Sequence, residues 1–109
     1  MTKLSIILPT YMEAESLPIV VPQIIEACRG MDFELIVADD NSPDGTLDQA
    51  RLLSRKYPEV KPLLHEGERG LSPSVIFGFE KASGDILLCM DADGQHQPCD
   101  IPRLVHAFS

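Results

Sequence analysis

Four short apolar runs, separated by helix-length segments, constrain the fold of this chain more than any other feature. They are Leu4-Ser5-Ile6-Ile7-Leu8, Phe33-Glu34-Leu35-Ile36-Val37-Ala38, Val60 to His65, and Ile86-Leu87-Leu88-Cys89-Met90. Each has the length of a strand. Strands joined by helical segments of this length require right-handed crossovers and a parallel sheet. The expected class is therefore α/β, a Rossmann-like parallel sheet with helices on both faces and strand order 3-2-1-4.

The helical segments carry their own punctuation. Ser16 can cap a first helix bearing Ile19, Val20, Ile24, Ile25 and Cys28, with Gly30 as its stop. Pro22 deletes an intrahelical hydrogen bond, so that helix either starts late or bends there. Ser42 reads as the cap of a second helix with Pro43 at its first position, and Leu47, Ala50, Leu52 and Leu53 supply the apolar face. Ser72-Pro73 opens a third helix through Ala82, and Ser83-Gly84 closes it. After Asp100 and Pro102, residues Ile101, Leu104, Val105 and Phe108 recur at helical spacing up to the last residue. An apolar helical face with no following segment implies the N-terminal part of a longer protein, and self-association of the fragment through that face.

Acidic residues fall at the carboxyl ends of three of the strands. The first runs into Pro9-Thr10-Tyr11-Met12-Glu13, the second into Asp39-Asp40-Asn41-Ser42, and the fourth into Asp91-Ala92-Asp93-Gly94-Gln95. Ligands of open parallel sheets bind in the crevice outside these ends. With the order 3-2-1-4, Glu13, Asp39 and Asp91 share one edge and form an acidic mouth. Such a mouth can hold a divalent cation and, through it, an anionic ligand.

A lone Asp-x-Asp is weak, since chance supplies about one in an acidic chain of this size. Its place directly after a buried strand makes it stronger, because two carboxylates there can turn toward one ion. Hard oxygen ligands of this kind suit Mg²⁺ or Mn²⁺, with phosphate and water completing the shell. Gln95 can add a neutral oxygen, and His96 is more commonly a surface residue in such a loop. In the second loop Asn41, Ser42, Asp44 and Gly45 match the needs of a tight turn and helix cap, and Asp40 and Asp44 fit that structural role. Asp39 is the better binding candidate, since a carboxylate there can accept from a ribose hydroxyl or a base N–H. Tyr11 can stack on a base or simply pack against its loop. Arg69, between Gly67 and Gly70, can reach a phosphate, although a solvated loop arginine is the commoner case.

Composition excludes several classes. The net charge of -8 disfavours nucleic acid and anionic membrane as partners. With 44% hydrophobic and 24% charged residues, the chain has the balance of one ordered domain. Cys28, Cys89 and Cys99 are odd in number and irregularly spaced, which indicates neither a disulfide framework nor a zinc site. No apolar run approaches the roughly 20 residues that span a bilayer, and no signal-peptide pattern opens the chain, so a cytoplasmic setting is the default.

The series Ile7-Leu8-Pro9-Thr10-Tyr11-Met12-Glu13, Val37-Ala38-Asp39-Asp40-Asn41-Ser42-Pro43-Asp44-Gly45-Thr46, Arg69-Gly70-Leu71-Ser72 and Met90-Asp91-Ala92-Asp93-Gly94-Gln95-His96 resembles family 2 glycosyltransferases of the GT-A fold. The branch most resembled is that of dolichol-phosphate mannosyltransferase and related polyprenol-phosphate enzymes. The resemblance implies that residues 1–109 are the sugar-nucleotide-binding part of a longer, inverting, metal-dependent glycosyltransferase. The donor would be GDP-mannose or a UDP-sugar and the acceptor a polyprenyl or dolichyl phosphate. Membrane association would belong to the full-length protein. Pro9, Tyr11, Glu13, Val37, Asp39 and Arg69 would contact the sugar nucleotide, together with Asp91 and Ala92. Asp91, Asp93 and Gln95 would hold Mg²⁺ or Mn²⁺, with Asp91 and Asp93 counted as catalytic. The fragment alone would be inactive, because the acceptor side and the basic residues that clamp the diphosphate come later in such chains. Two positions depart from the pattern: Met12 stands where the family usually has Asn, and Gly94 where an apolar residue is frequent.

Rival classes remain at this level. A receiver-like signalling domain is also parallel and acid-mouthed, but it needs its acidic pair after the first strand and a lysine after the fifth. A noncatalytic nucleotide-binding module would use the same pocket without transfer. A nucleotidyltransferase would need a glycine- and arginine-rich loop after the first strand, which is absent.

Overall fold

The computed structural model describes residues 3–67 and 71–90. Strands and helices alternate along them: β1 Lys3–Thr10, α1 Leu17–Ala27, β2 Asp32–Asp39, α2 Thr46–Lys56, β3 Val60–Leu64, α3 Leu71–Lys81 and β4 Ile86–Cys89. All strand pairs are parallel and the order is β3-β2-β1-β4, as the spacing predicts.

The near-continuous apolar runs of β1 and β2 arise because both sheet faces are covered. On one face Leu4, Ile6 and Leu8 of β1 join Phe33, Leu35 and Val37 of β2. They pack beneath Leu17, Val20, Val21, Ile24 and Cys28 of the α1 segment and Ala50 of α2. On the other face lie Ile7, Ile36 and Ala38, all buried, with α3 packed against β1 and β2. Gly78 permits that contact, because a Cβ there would lie 2.5 Å from Ile7 Cγ2. Each fully buried Leu, Ile or Val contributes about 1.5–3 kcal/mol, so this two-sided core dominates the stability. Cys28 is a free thiol in that core, and burial pushes its pKa up to about 11.

Two helix starts differ in detail from the sequence expectation. α1 runs unbroken through Pro22, and Ser16 occupies the cap position without a side-chain cap bond. The Glu13 carbonyl instead accepts from Ser16 N and Leu17 N, both at 3.1 Å. α2 begins at Thr46, with Gly45 in the left-handed region at φ 86°, not at Ser42-Pro43. The cause is local: Asp39 captures Ser42, accepting from its N–H at 2.9 Å and its hydroxyl at 2.7 Å. That turn delays the helix, and Asp44 takes over the capping role by accepting from Thr46 N at 3.1 Å.

Glu34 is a carboxylate inside β2 and only 2% exposed. Its Oε2 accepts from Ser5 Oγ at 2.6 Å and Ser83 N at 2.7 Å, and its Oε1 from Lys61 Nζ at 2.7 Å. β1, β2, β3 and the α3–β4 connection are thus tied at the amino end of the sheet. Burial alone would raise the Glu34 pKa. The bonds from Lys61, Ser5 and Ser83 outweigh it and bring the value down to about 2.

Candidate functional site

The carboxyl ends of β1, β2 and β3 lie level because of their register, whereas β4 ends at Cys89 opposite Ile7. Thr10 pairs with Asp39, Asp40 N donates to Thr10 O at 2.9 Å, and His65 N donates to Asp39 O at 2.7 Å. Met90 N donates to Ile7 O at 2.9 Å, which aligns the end of β4 beside β1. Two loops are then bound edge to edge. Three successive amides after β1 donate to side chains of the β2–α2 loop: Met12 N to Ser42 Oγ at 2.9 Å, Glu13 N to Thr46 Oγ1 at 2.9 Å, and Ala14 N to Asp44 Oδ2 at 3.3 Å. Closing this arrangement places Met12 and Asn41 at positive φ, 60° and 57°. Asn accepts that conformation readily, whereas Met is strained in it.

A cavity of about 390 Å³ opens at this edge, lined by Tyr11, Asp40, Asn41, Pro43, His65, Glu66 and Gly67. Its size lies within the usual range for small-molecule sites. Tyr11 offers an aromatic face, Asp40 a carboxylate acceptor, and Asn41 an amide. None of these seven residues carries an obligate positive charge, so an anionic group bound here needs a cation from elsewhere. Among the described residues, no group of three or more His, Cys, Asp and Glu side chains could hold a metal ion.

The sequence candidates distribute unequally around the cavity. Tyr11 lines it. Pro9 is half-buried in β1 opposite Ala38, and the Val37 side chain is buried in the apolar core. Asp39 is fully buried, and its carboxylate accepts from Thr10 Oγ1 at 2.9 Å as well as from Ser42. Glu13 is half-buried in the loop after Tyr11, where its amide is bound to Thr46. Arg69, Asp91, Ala92, Asp93 and Gln95, with the helix expected after Asp100, lie outside the described residues.

Asp40 and His65 are what the sequence expectation missed. Asp40, assigned there to the turn, lines the cavity, and His65 Nδ1 sits 3.2 Å from its Oδ1. His65 is itself buried and its ring lies against Phe77 of α3, with centroids 5.0 Å apart. A signal was available: His65 follows the third strand just as Asp40 follows the second, and ligands of open parallel sheets bind outside such ends. Asp44 belongs to the structural role expected of it, its pKa lowered by the Thr46 hydroxyl and by the amides of Ala14 and Thr46.

Comparison with known proteins agrees with this geometry. The model of the family described as Glycosyl transferase family 2 matches residues 5–109. A dolichol-phosphate mannosyltransferase of Pyrococcus furiosus is 49% identical over 106 residues, which cover 97% of this chain and 30% of that protein. The solved structure of a mannosyltransferase from Pyrobaculum calidifontis in complex with GDP-Man and Mn²⁺ superposes with a TM-score of 0.79. It is 25% identical, over 91% of this chain and 30% of that one. A glucosyl-3-phosphoglycerate synthase from Mycobacterium tuberculosis, in complex with Mn²⁺, UDP and glucosyl-3-phosphoglycerate, gives 0.76 at 26% identity over 98% of this chain and 39% of that one. The chain thus spans less than half the length of each of these relatives. It belongs to glycosyl transferase family 2.

Proposed function

We propose that residues 1–109 form the sugar-nucleotide-binding part of an inverting glycosyltransferase. The full-length protein would transfer a sugar from GDP-mannose or a UDP-sugar to a polyprenyl or dolichyl phosphate. The cavity at the carboxyl edge supports this reading: an aromatic ring, a carboxylate and an amide line it at the strand ends, outside which ligands of open parallel sheets bind. Tyr11 supplies a stacking face for the base, and Asp40 accepts from a base N–H. Pro9, Glu13, Val37, Asp39 and Arg69 are further contacts to the sugar nucleotide that the family resemblance implies.

The donor set Asp91, Asp93 and Gln95 has the hard-oxygen chemistry of a Mg²⁺ or Mn²⁺ site, and it follows β4 in the sequence. When bound, the ion would neutralise the charge that develops on the departing nucleoside diphosphate. The acceptor phosphate is already anionic, so attack on the anomeric carbon needs no protein base. Among the described residues no helix is long and apolar enough to cross a membrane.

Titration calorimetry with GDP and UDP, with and without Mn²⁺, tests the proposal in the full-length chain. Nucleotide should bind more tightly with Mn²⁺. Asp93→Ala should abolish most of that coupling, while Asp44→Ala, whose carboxylate caps α2, should leave it nearly intact. Unchanged coupling in Asp93→Ala would remove the Asp-x-Asp assignment. Nucleotide binding without any sugar transfer would favour a noncatalytic binding module.

A further inference from the structure

We propose that His65 is a positioning residue for nucleotide recognition, acting through Asp40. It rests on reading the cavity as the base pocket. A carboxylate beside a cavity helps recognition only if its lone pairs point one way before the ligand arrives, since ordering it at the moment of binding costs affinity. His65 supplies that order. Its Nδ1 lies 3.2 Å from Asp40 Oδ1, and because an ionised carboxylate only accepts, Nδ1 carries the proton and donates. Oδ1 is thereby engaged, which sets the carboxylate plane and the direction of Oδ2.

The residue is held by two further contacts. Its backbone N–H is bonded to Asp39 O at 2.7 Å, so main chain and side chain hold consecutive acidic residues. The ring lies against Phe77 at 5.0 Å, tilted 40°, which couples it to α3. At Gly67 a Cβ would stand 3.2 Å from Nε2, a tight approach that the glycine avoids. With these two contacts and the bond to Asp40 the histidine has little freedom, and neither has the carboxylate it holds. A histidine there merely to fill space would not require a donor at Nδ1.

The test separates the hydrogen bond from the packing. His65→Phe keeps a ring against Phe77 and removes the donor. His65→Asn keeps a donor near the Nδ1 position and gives up part of the ring. Isothermal titration with GDP and with UDP, each with Mn²⁺, on the full-length chain should show His65→Phe weakened by about tenfold, the scale of one lost bond to a charged group. His65→Asn should recover to within about threefold of the unaltered protein. His65→Gln, whose amide reaches the Nε2 rather than the Nδ1 position, should bind as weakly as His65→Phe, and it stands in if that variant fails to fold. Equal weakening of His65→Asn and His65→Phe overturns the proposal, as does unaltered binding by His65→Phe and His65→Gln while Asp40→Asn is impaired. That last pattern leaves the base pocket standing. Full affinity in Asp40→Asn, or no nucleotide binding by the unaltered protein, overturns the base pocket and the role of His65 with it.

Discussion

Replacing Glu34 by Gln tests whether the buried carboxylate at the amino end of the sheet holds four segments together. The folded pKa of about 2 against an ordinary 4.5 corresponds to about 3 kcal/mol, at about 1.4 kcal/mol for each tenfold change in proton affinity. Because the folded value is depressed, that stability is present above pH 4.5 and is lost as the pH falls toward 2. In Glu34→Gln the amide oxygen can still accept from Ser5 and Ser83, but its NH₂ faces the Lys61 ammonium, donor against donor. Lys61 is 51% exposed and can turn to water, which limits the cost to about 2–3 kcal/mol at pH 7. Urea unfolding of both proteins at a series of pH values should show that gap at neutrality. It should close progressively between pH 4.5 and 2, where the native glutamate becomes neutral too. Lys61→Met should cost less, about 1 kcal/mol, since Ser5 and Ser83 continue to hold the carboxylate. A gap that stays constant from pH 7 to pH 2.5 would refute the electrostatic account and leave only packing.

Two further substitutions probe backbone fit. Gly84→Ala should destabilise by about 2–3 kcal/mol in the same urea assay, because the new Cβ would meet Ser5 Oγ at 2.5 Å, Ser5 N at 2.8 Å and Lys3 O at 2.9 Å, and main-chain atoms cannot step aside. A neutral result would mean that the β1–β4 approach is looser than the structure has it. Met12→Asn should stabilise by about 0.5–1 kcal/mol in thermal unfolding, since φ at this position is 60° and Asn tolerates the left-handed region better than Met. A drop in melting temperature would instead show that the Met12 side chain repays the strain through contacts.

The fold was legible because it depends on coarse periodicity. Apolar runs of strand length separated by helix-length segments leave few parallel arrangements, and the order β3-β2-β1-β4 also brings the acidic strand ends together. Helix starts were less legible, since a serine before proline is a sound cap until another side chain competes for it. Asp39 is that competitor, and only the folded chain shows it bound to Ser42. Glu34 was hidden for a similar reason: a strand covered on both faces gives no polar side for an acidic residue, so its partners Ser5, Lys61 and Ser83 come from three other segments. Within the Asp39-Asp40 pair the functional weight was assigned to the residue nearest the strand. Asp39 closes β2 and is taken up by Thr10 and Ser42, and the second of the pair lines the cavity. Asp91, Asp93 and Gln95 stay a proposal founded on sequence and family.

The amides of Met12, Glu13 and Ala14, handed in succession to Ser42, Thr46 and Asp44, make the two loops a single unit of exchange. An engineer transplanting the Tyr11 loop from a relative would leave three acceptors behind, each matched to a spacing the graft need not share. Moving both loops together carries the matched set, and the sheet beneath supplies only parallel strand ends to which any such pair can be attached. Loop swaps in this family should therefore succeed in pairs and fail singly, with the failure visible first as lost stability and not as altered specificity.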